Sequence, residues 1–358
     1  STHPDTMGEV KVSVGGIDGT FDGATSKKPI ASCIKIFLML LILDMEICNL
    51  NTKCYDLPGF CFKNKFYYVN EDLYKDLQSK ANMHDVYGIW LNKNVDSIFK
   101  GDLSLIDAFW LSRNIPFLNI MLNHVGLKRL DQFLIDCGIT NKHHLYPSII
   151  LGNSEDISNE EFAHRCTILY SNGYRTHYNW LNNIQYKDNI VYETNKGLYG
   201  KQIVKPEAIF NVFTALKYAT LNGYPSINSL NRLPMKVIYS KTGTTTLSNY
   251  YSIVFTRDFI IFASLNSKHG SLYRKALPSD TLLLINNILR KIPNYDYGEI
   301  RGMSLSEILK IPNSLNTSYI IDTYGKPISI MCSSFQNSLS ITSYNEINNI
   351  DEFYNLIQ

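Results

Sequence analysis

The segment PIASCIKIFLMLLILD, Pro29–Asp44, carries an unbroken apolar run from Ile36 to Leu43 just after a pair of lysines, Lys27 and Lys28. A run of this kind spans a membrane, targets a nascent chain or lies at the centre of a fold. A spanning helix needs roughly 20 apolar residues, and Asp44 and Glu46 close this run well short of that. Lysines followed by a short apolar stretch also look like the n- and h-regions of a signal peptide. Here, however, a strand-like alternation from Glu9 to Val14 already precedes them, and no small-residue cleavage site follows. The best reading is a helix from Ser32 to Ile47, apolar on nearly all sides and so buried at the middle of the molecule. Its first turn presents Ser32 and Lys35.

At 358 residues the chain can bury such a helix in a sizeable core. Charged residues make up only 18% and apolar ones 45%, which excludes disorder, and no Gly/Ser, Pro or acidic block marks a flexible linker. The net charge of +2, from 34 basic and 32 acidic side chains without a basic stripe, lacks the footprint of a nucleic-acid binder. Lys27 and Lys28 read as a solvated turn, and the scattered Tyr and Phe residues as core. The 7 cysteines include no Cys-x-x-Cys pair, so no zinc or other metal site is expected. Cys54 and Cys61 flank the turn-like Asp56-Leu57-Pro58-Gly59 at a spacing that permits a small disulfide ring in an oxidising compartment; the other cysteines read as buried thiols.

Along the chain, a strand at Val10 to Val14 and a Gly-rich turn, Gly15 to Gly19, precede the central helix. The region from about Tyr67 to Leu221 is mostly helical in pattern, with a capping signal at Ser104 to Asp107 and helices expected over Ile115 to Val125 and Leu127 to Cys137. Strand chemistry returns at Met235 to Ser240. A hairpin follows, Tyr251 to Phe255 and Phe259 to Leu265, and then a helix from Ser279 to Arg290. After about Ile292 a short helical piece, Ser304 to Leu309, precedes strand-like Tyr319 to Asp322 and Ile328 to Ile330. Strands at both ends of a helical block suggest an α/β unit interrupted by a helical one, with the site between them.

Three short motifs carry chemistry. Ser32-Cys33-Ile34-Lys35 puts an amine beside a hydroxyl on one helix face. Packing against apolar side chains near another cation disfavours the ammonium form, so Lys35 would take the Ser32 proton. The helix N-terminus adds amide N–H groups where negative charge develops. A second copy, Ser97 to Lys100, runs into Gly101-Asp102 with no apolar helix behind it and reads as a surface accident. Ser112-Arg113-Asn114 offers a hydroxyl relay and an orienting amide. Ser-x-Asn also occurs at Ser226, Ser229, Ser264, Ser314 and Ser343, and only Ser112 is set between helical segments with Pro116 close behind. Lys241-Thr242-Gly243-Thr244 is the single Lys-Ser/Thr-Gly in the chain and follows a strand. A strand edge can pair with an extended peptide, Gly243 allows close approach, and Lys241 with Thr242 suits a carboxylate. The N–H groups of Ser32 and Thr244 would form an oxyanion hole.

In this order the three motifs form the serine acyl-transferase set of penicillin-binding proteins and class A β-lactamases. The chain resembles the transpeptidase domain of bifunctional (class A) penicillin-binding proteins, closest to the 1C type. The likeness runs from about Gly8 to Leu289. Besides the motifs it includes Gly8 to Gly16, the Asp56-Leu57-Pro58 element, Asn94-Val95-Asp96 to Gly101, Leu103 to Ala108, Tyr146 to Gly152 and Ser171-Asn172-Gly173. It implies an α/β (α+β) DD-peptidase/β-lactamase-like fold, an antiparallel sheet flanked by helices with an inserted, mostly helical subdomain. The expected limits are 1–8 as a tag or disordered start and 9–291 as the transpeptidase domain. Within it, 9–60 and 235–291 would make the sheet part and 61–234 the helical part, with 292–358 a C-terminal extension of unknown role. The resemblance makes Ser32 the nucleophile, Lys35 its base and Ser112 the proton relay. Asn114 would orient the peptide, and Lys241, Thr242, Gly243, Thr244 and Thr246 would hold its terminal carboxylate.

The implied reaction is acyl transfer from a D-Ala-D-Ala stem peptide of peptidoglycan, without a cofactor and with β-lactams as inhibitors. Other cell-wall synthesis proteins are possible partners, at the periplasmic or extracytoplasmic face of a bacterial membrane. The family's anchor and glycosyltransferase domain are not in this sequence, which is expected to be a truncated or stand-alone version, with Ser1 to Thr6 a cloning remnant. Ala31 stands where the family has Gly, Ile36 where it has Pro, Arg113 where it has a small or apolar residue, and Val254 where it has Gly. Arg113 would repel or retune the lysines and Val254 would narrow the groove. No Glu-x-x-Leu-Asn run lies between the second and third motifs, so antibiotic hydrolysis is not expected; Glu155, Glu160 and Glu161 read as a helix start. A carboxypeptidase of the same fold and a catalytically weak binding or scaffold module are the alternatives.

Overall fold

A computed structural model describes residues 7–15, 23–80, 88–143, 146–153, 157–195, 197–222, 239–245, 249–266, 278–292, 316–321, 327–333 and 346–357. The apolar run folds as helix α1, Lys35–Asp44, entered through a tighter 3₁₀ turn, Ala31–Ile34. Ser32 therefore sits in the 3₁₀ turn and Lys35 at the first α-helical position. Every side chain from Ile36 to Ile42 is completely buried, each worth about 1.5–3 kcal/mol for the larger aliphatics and Phe. No polar face is left to α1 because protein surrounds it.

Strands β1, Lys53–Asp56, β2, Gly59–Phe62, and β3, Lys65–Val69, follow, then α2, Glu71–Ser79, and β4, Trp90–Asn92. Strand β5, Gly101–Ser104, pairs antiparallel with β1 and leads into α3, Leu105–Trp110, which Ser104 caps by accepting from Asp107 N–H. Helix α4, Ile115–Asn119, runs through a π-helical segment, Ile120–Val125, before α5, Leu127–Asp136. Helix α6, Asn159–Arg165, opens with a full capping box between Ser158 and Glu161, in keeping with the expected helix start.

The expectation of a mostly helical stretch from Tyr67 to Leu221 is interrupted by β4 and β5 and fails most widely between residues 175 and 199. There the chain forms β6, Arg175–Thr176, an exposed ribbon of β7, Asn183–Tyr186, and β8, Asn189–Glu193, and then β9, Leu198–Tyr199, before α7, Pro206–Asn222. Residues 10–14 make no strand either. Glu9 forms one isolated bridge to Asn179, and Val12 and Val14 are each 79% exposed, so their alternation has no second strand and no core to meet.

Strands β10, Tyr239–Thr245, β11, Asn249–Phe255, and β12, Ile260–Asn266, make the antiparallel sheet that positions the site, in the order β10-β11-β12. Helix α8, Pro278–Arg290, covers one face, where Leu282, Ile285 and Leu289 pack on Val254 and Ala263. Val254 thus lies on the α8 side, contrary to the expectation that it narrows the groove; strand side chains alternate, and Ile253, one residue back, joins the main core with α1. On that other face α7 and the Ala31–Ile34 turn lie against β10. Rings of Phe37 and Phe162, 5.7 Å apart, and of Phe162 and Phe262, 5.6 Å apart, join α1, α6 and β12.

This is the expected mixed fold, an antiparallel sheet flanked by helices. Strands β13, Asn316–Ile321, and β14, Pro327–Ser333, pair antiparallel, close to the expected ones. The sequence reading missed β15, Glu346–Ile347, which pairs parallel with β3, and α9, Ile350–Ile357, whose Phe353 is fully buried. Residues 304–309, and most of the expected strand 235–240, lie outside the described residues. Among the described residues no helix is long and apolar enough to cross a membrane. Cys54 and Cys61 are free and separately buried, so the disulfide ring is not formed; Cys61 Sγ accepts from Asn92 Nδ2 at 3.1 Å instead.

Candidate active site

The Ser32 turn is shaped by two glycines that lie far from it in sequence. Ala31 has φ 50, a left-handed conformation that costs a non-glycine residue roughly 1–2 kcal/mol, at the position where glycine was expected. Gly152, itself at φ +73, supports it: Ile30 N–H donates to Gly152 O at 3.1 Å, and a Cβ on Gly152 would stand 2.1 Å from Ala31 O. Gly243 in β10 likewise lets the strand pass the turn, since a Cβ there would lie 3.1 Å from Cys33 Sγ and 3.2 Å from Ile30 O. Gly152→Ala should therefore cost about 2–5 kcal/mol of stability and slow any chemistry at Ser32 about 10²-fold. Urea unfolding and the rate of covalent labelling at Ser32 measure the two effects.

Residues from all three motifs meet in one chain of contacts. Lys35 Nζ lies 3.0 Å from Ser32 Oγ, 2.9 Å from Ser112 O and 2.8 Å from Asn114 Oδ1. Lys241 Nζ donates to Ser112 Oγ at 2.9 Å and to its neighbour's carbonyl, Thr242 O, at 2.9 Å. Ser112 has φ 56 between α3 and α4, and this reversal sends its carbonyl to one lysine and its hydroxyl to the other. Lys241, Thr242, Gly243 and Thr244 lie within β10 rather than after it, on an edge of the three-stranded sheet. Thr242 and Thr244 are half-buried; Thr246 lies outside the described residues. Ser97 and Lys100 are exposed, away from any apolar helix.

Both amines are taken out of water. Lys35 is fully buried and Lys241 nearly so. Burial, then the charges of Lys241 and Arg113, hold Lys35 well below its usual value, against the opposing pull of Asp56 and Cys33. Burial brings Lys241 down to about 8, with Cys33 pulling the other way. A neutral Lys35 has two N–H bonds and one lone pair. Two of its partners, Ser112 O and Asn114 Oδ1, only accept; the third, the Ser32 hydroxyl, can donate. That partner set suits a base aimed at Ser32. Rings stand beside both amines: Phe117 has its centroid 5.7 Å from Lys35 Nζ, and Phe109 5.5 Å from Lys241 Nζ. Cys33 faces the same region, but burial pushes its thiol up to about 12, which leaves it inert.

Sequence reasoning missed the support behind Ser112 and Asn114. The Arg113 side chain, 4% exposed, donates from Nε to Asp56 Oδ2 at 2.7 Å, from one terminal nitrogen to Asp96 Oδ2 at 2.8 Å and from the other to Ile98 O. Asp56 is completely buried and also accepts from Asn94 Nδ2 at 2.7 Å and Lys100 N–H at 3.0 Å. Asn94 Oδ1 in turn accepts from Asn114 N–H at 2.8 Å. The Asp56-Leu57-Pro58 and Asn94-Val95-Asp96 pieces were visible only as family resemblances, and nothing local pairs them with Arg113.

No protein-family model matches the chain. Penicillin-binding protein 1B of Buchnera aphidicola is 28% identical over 164 residues, 44% of this chain but only 21% of that protein. Penicillin-binding protein 1A of Haemophilus influenzae superposes with a TM-score of 0.61 at 17% identity, over 85% of this chain and 47% of that one. Penicillin-binding protein A of Mycobacterium tuberculosis, solved as a ceftriaxone acyl-enzyme, superposes with a TM-score of 0.53 at 13% identity, over 76% of this chain and 62% of that one. The 1C subtype stays an expectation from sequence. Over part of its length the chain is similar in sequence to a penicillin-binding protein, and it has the fold of that family's transpeptidase domains.

Proposed function

We propose that this chain is a serine D-Ala-D-Ala transpeptidase that acts on peptidoglycan stem peptides through an acyl-enzyme and is acylated by β-lactams. The observation that supports this best is that Lys35 Nζ lies on the Ser32 hydroxyl and on the Ser112 carbonyl while Lys241 Nζ donates to the Ser112 hydroxyl, which gathers a nucleophile, a base, a second hydroxyl and a cation around one turn. Ser32 Oγ attacks the carbonyl between the two D-alanines while its proton passes to the neutral Lys35. The carbonyl oxygen gathers charge against the Ser32 and Thr244 N–H groups. As the C–N bond breaks, the departing amine takes the proton that Lys35 received, with the Ser112 hydroxyl as relay, so that Lys35 is neutral again. The amine of a second stem peptide then attacks the ester, forms the cross-link and returns the proton to Ser32. Lys241, Thr242, Gly243 and Thr244, with Thr246 next to them, receive the terminal carboxylate, and Asn114 orients the peptide while it holds Lys35. The reaction belongs at the extracytoplasmic face of a bacterial membrane, beside other cell-wall synthesis proteins.

Incubation with a fluorescent penicillin followed by peptide mass spectrometry tests this reading. A long-lived adduct on Ser32 is expected; no adduct, or fast turnover to penicilloate, would overturn it. Addition of a stem peptide with an amine acceptor then separates cross-linking from release by water. The acylation rate should rise with pH as Lys35 loses its proton, at a pH well below the usual lysine value of 10.5. It should fall above about pH 8 as Lys241 loses the charge that holds the carboxylate. A rate that climbs without a maximum to pH 10 would remove Lys241 from that role.

A further inference from the structure

The Ser112–Asn114 turn is held from outside by the buried network around Arg113. Its two flanking residues touch Lys35, 2.9 Å from Ser112 O and 2.8 Å from Asn114 Oδ1, and Ser112 Oγ touches Lys241 at 2.9 Å. The residue between them makes no such contact. Its guanidinium spans from Asp56 at the end of β1 to Asp96 and Ile98 in the loop between β4 and β5. Asn94 joins the two halves, since it donates to Asp56 and accepts from the Asn114 backbone. A planar fork with fixed donor directions, bound on three acceptors, fixes both the height and the rotation of the turn; a flexible ammonium with one point of charge cannot.

We propose that Arg113 is a positioning residue: locked between Asp56 and Asp96, it holds the turn so that Ser112 O and Asn114 Oδ1 take the two N–H bonds of Lys35, leaving the amine lone pair directed at Ser32. This rests on the acyl-transfer reading and adds a component to it. The charges around Lys35 are consistent with the arrangement. After burial itself, Lys241 and Arg113 disfavour the ammonium, and Asp56 and Cys33 favour it. Asp56, paired with Arg113, partly offsets the effect of the guanidinium on the base. The anomalous Arg in Ser-x-Asn is thus matched by a buried carboxylate on a separate strand.

Two variants test the proposal in the whole chain. Arg113→Lys keeps the charge but loses the fork, and Asp96→Asn releases one arm of the fork while Asp56 stays paired. For each, the reaction with a fluorescent penicillin is resolved into the dissociation constant of the non-covalent complex and the first-order acylation constant. Arg113→Lys should lower the acylation constant about tenfold to a hundredfold, with the dissociation constant changed less than about twofold. Asp96→Asn should lower the same constant about two- to fivefold. A folded Arg113→Lys protein that acylates at the parental rate overturns the proposal. If that variant does not unfold cooperatively, Asp96→Asn decides, and an unchanged acylation constant overturns it. An equal loss in both constants also overturns it, because the turn would then be serving binding rather than the base. If the parental chain forms no adduct, the acyl-transfer reading fails and takes the proposal with it; a parental adduct with indifferent variants defeats the proposal alone.

Discussion

Ser32→Ala should abolish the covalent penicillin adduct completely, while the protein unfolds within about 1 kcal/mol of the parent. Ser32 is 9% exposed and its hydroxyl contacts Lys35 Nζ at 3.0 Å, so its removal costs the fold at most one modest hydrogen bond. The chemistry loses the hydroxyl at which Lys35 is aimed, and the adjacent Cys33 thiol, held protonated by burial, cannot replace it. Ser97→Ala, in the exposed second copy of the motif, should label as the parent does. Intact-mass measurement after incubation with a penicillin reads both results. An adduct that survives in Ser32→Ala would move the nucleophile elsewhere.

Lys35→Met should reduce the acylation rate about 10²- to 10⁴-fold, the usual contribution of a positioned base. Methionine has nearly the volume of the lysine side chain and brings no charge, so the core around α1 should stay filled. The thermodynamic signature is independent of activity. In the unfolded chain Lys35 is protonated below 10.5, whereas in the folded chain it sheds its proton at a value well below that. Above its folded value the unfolded state therefore binds one more proton than the folded state. The linkage relation then makes parental stability rise with pH by about 1.4 kcal/mol per unit. The window lies above the folded value of Lys35 and above about 7, where His164, lowered by burial to about 3 in the folded chain, is neutral folded and unfolded alike, and below about 8, where Lys241 is still charged in the folded state. Lys35→Met should lose this slope. Urea unfolding at several pH values inside that window checks it, and an unchanged slope would mean that Lys35 is charged in the native protein.

What could be read from sequence was local. The buried helix behind Ser32 was legible because an apolar run without a polar face has only one environment in water. The hairpin of β11 and β12, helix α8, the cap at Ser104 and the helix start around Glu160 and Glu161 followed from short-range patterns. Misreadings came where a pattern needed a distant partner. The alternation at Val10 to Val14 is a good strand pattern that found no second strand, and the ribbon of β7 and β8 is so exposed that burial left no periodicity to read. Val254 was placed on the wrong side because a strand's two faces are distinguished only by what packs on each. Arg113 does disfavour the Lys35 ammonium, as expected, but the carboxylates that hold its guanidinium, Asp56 and Asp96, were not visible beside it.

The sequence by itself determined which chemical groups this protein has to work with: a hydroxyl and an amine one turn apart, a second hydroxyl and amide two residues apart, and a cation beside a glycine on a strand. It also determined that the first pair opens a helix with no wet face. Only the tertiary structure decided that Lys35 meets Asn114, 79 positions away, and that Arg113 meets Asp56, 57 positions away. The physical reason is range. Helix burial and capping are set within a turn or two of the chain, whereas the neutrality of a buried amine and the pairing of a buried guanidinium depend on what long-range folding brings against them.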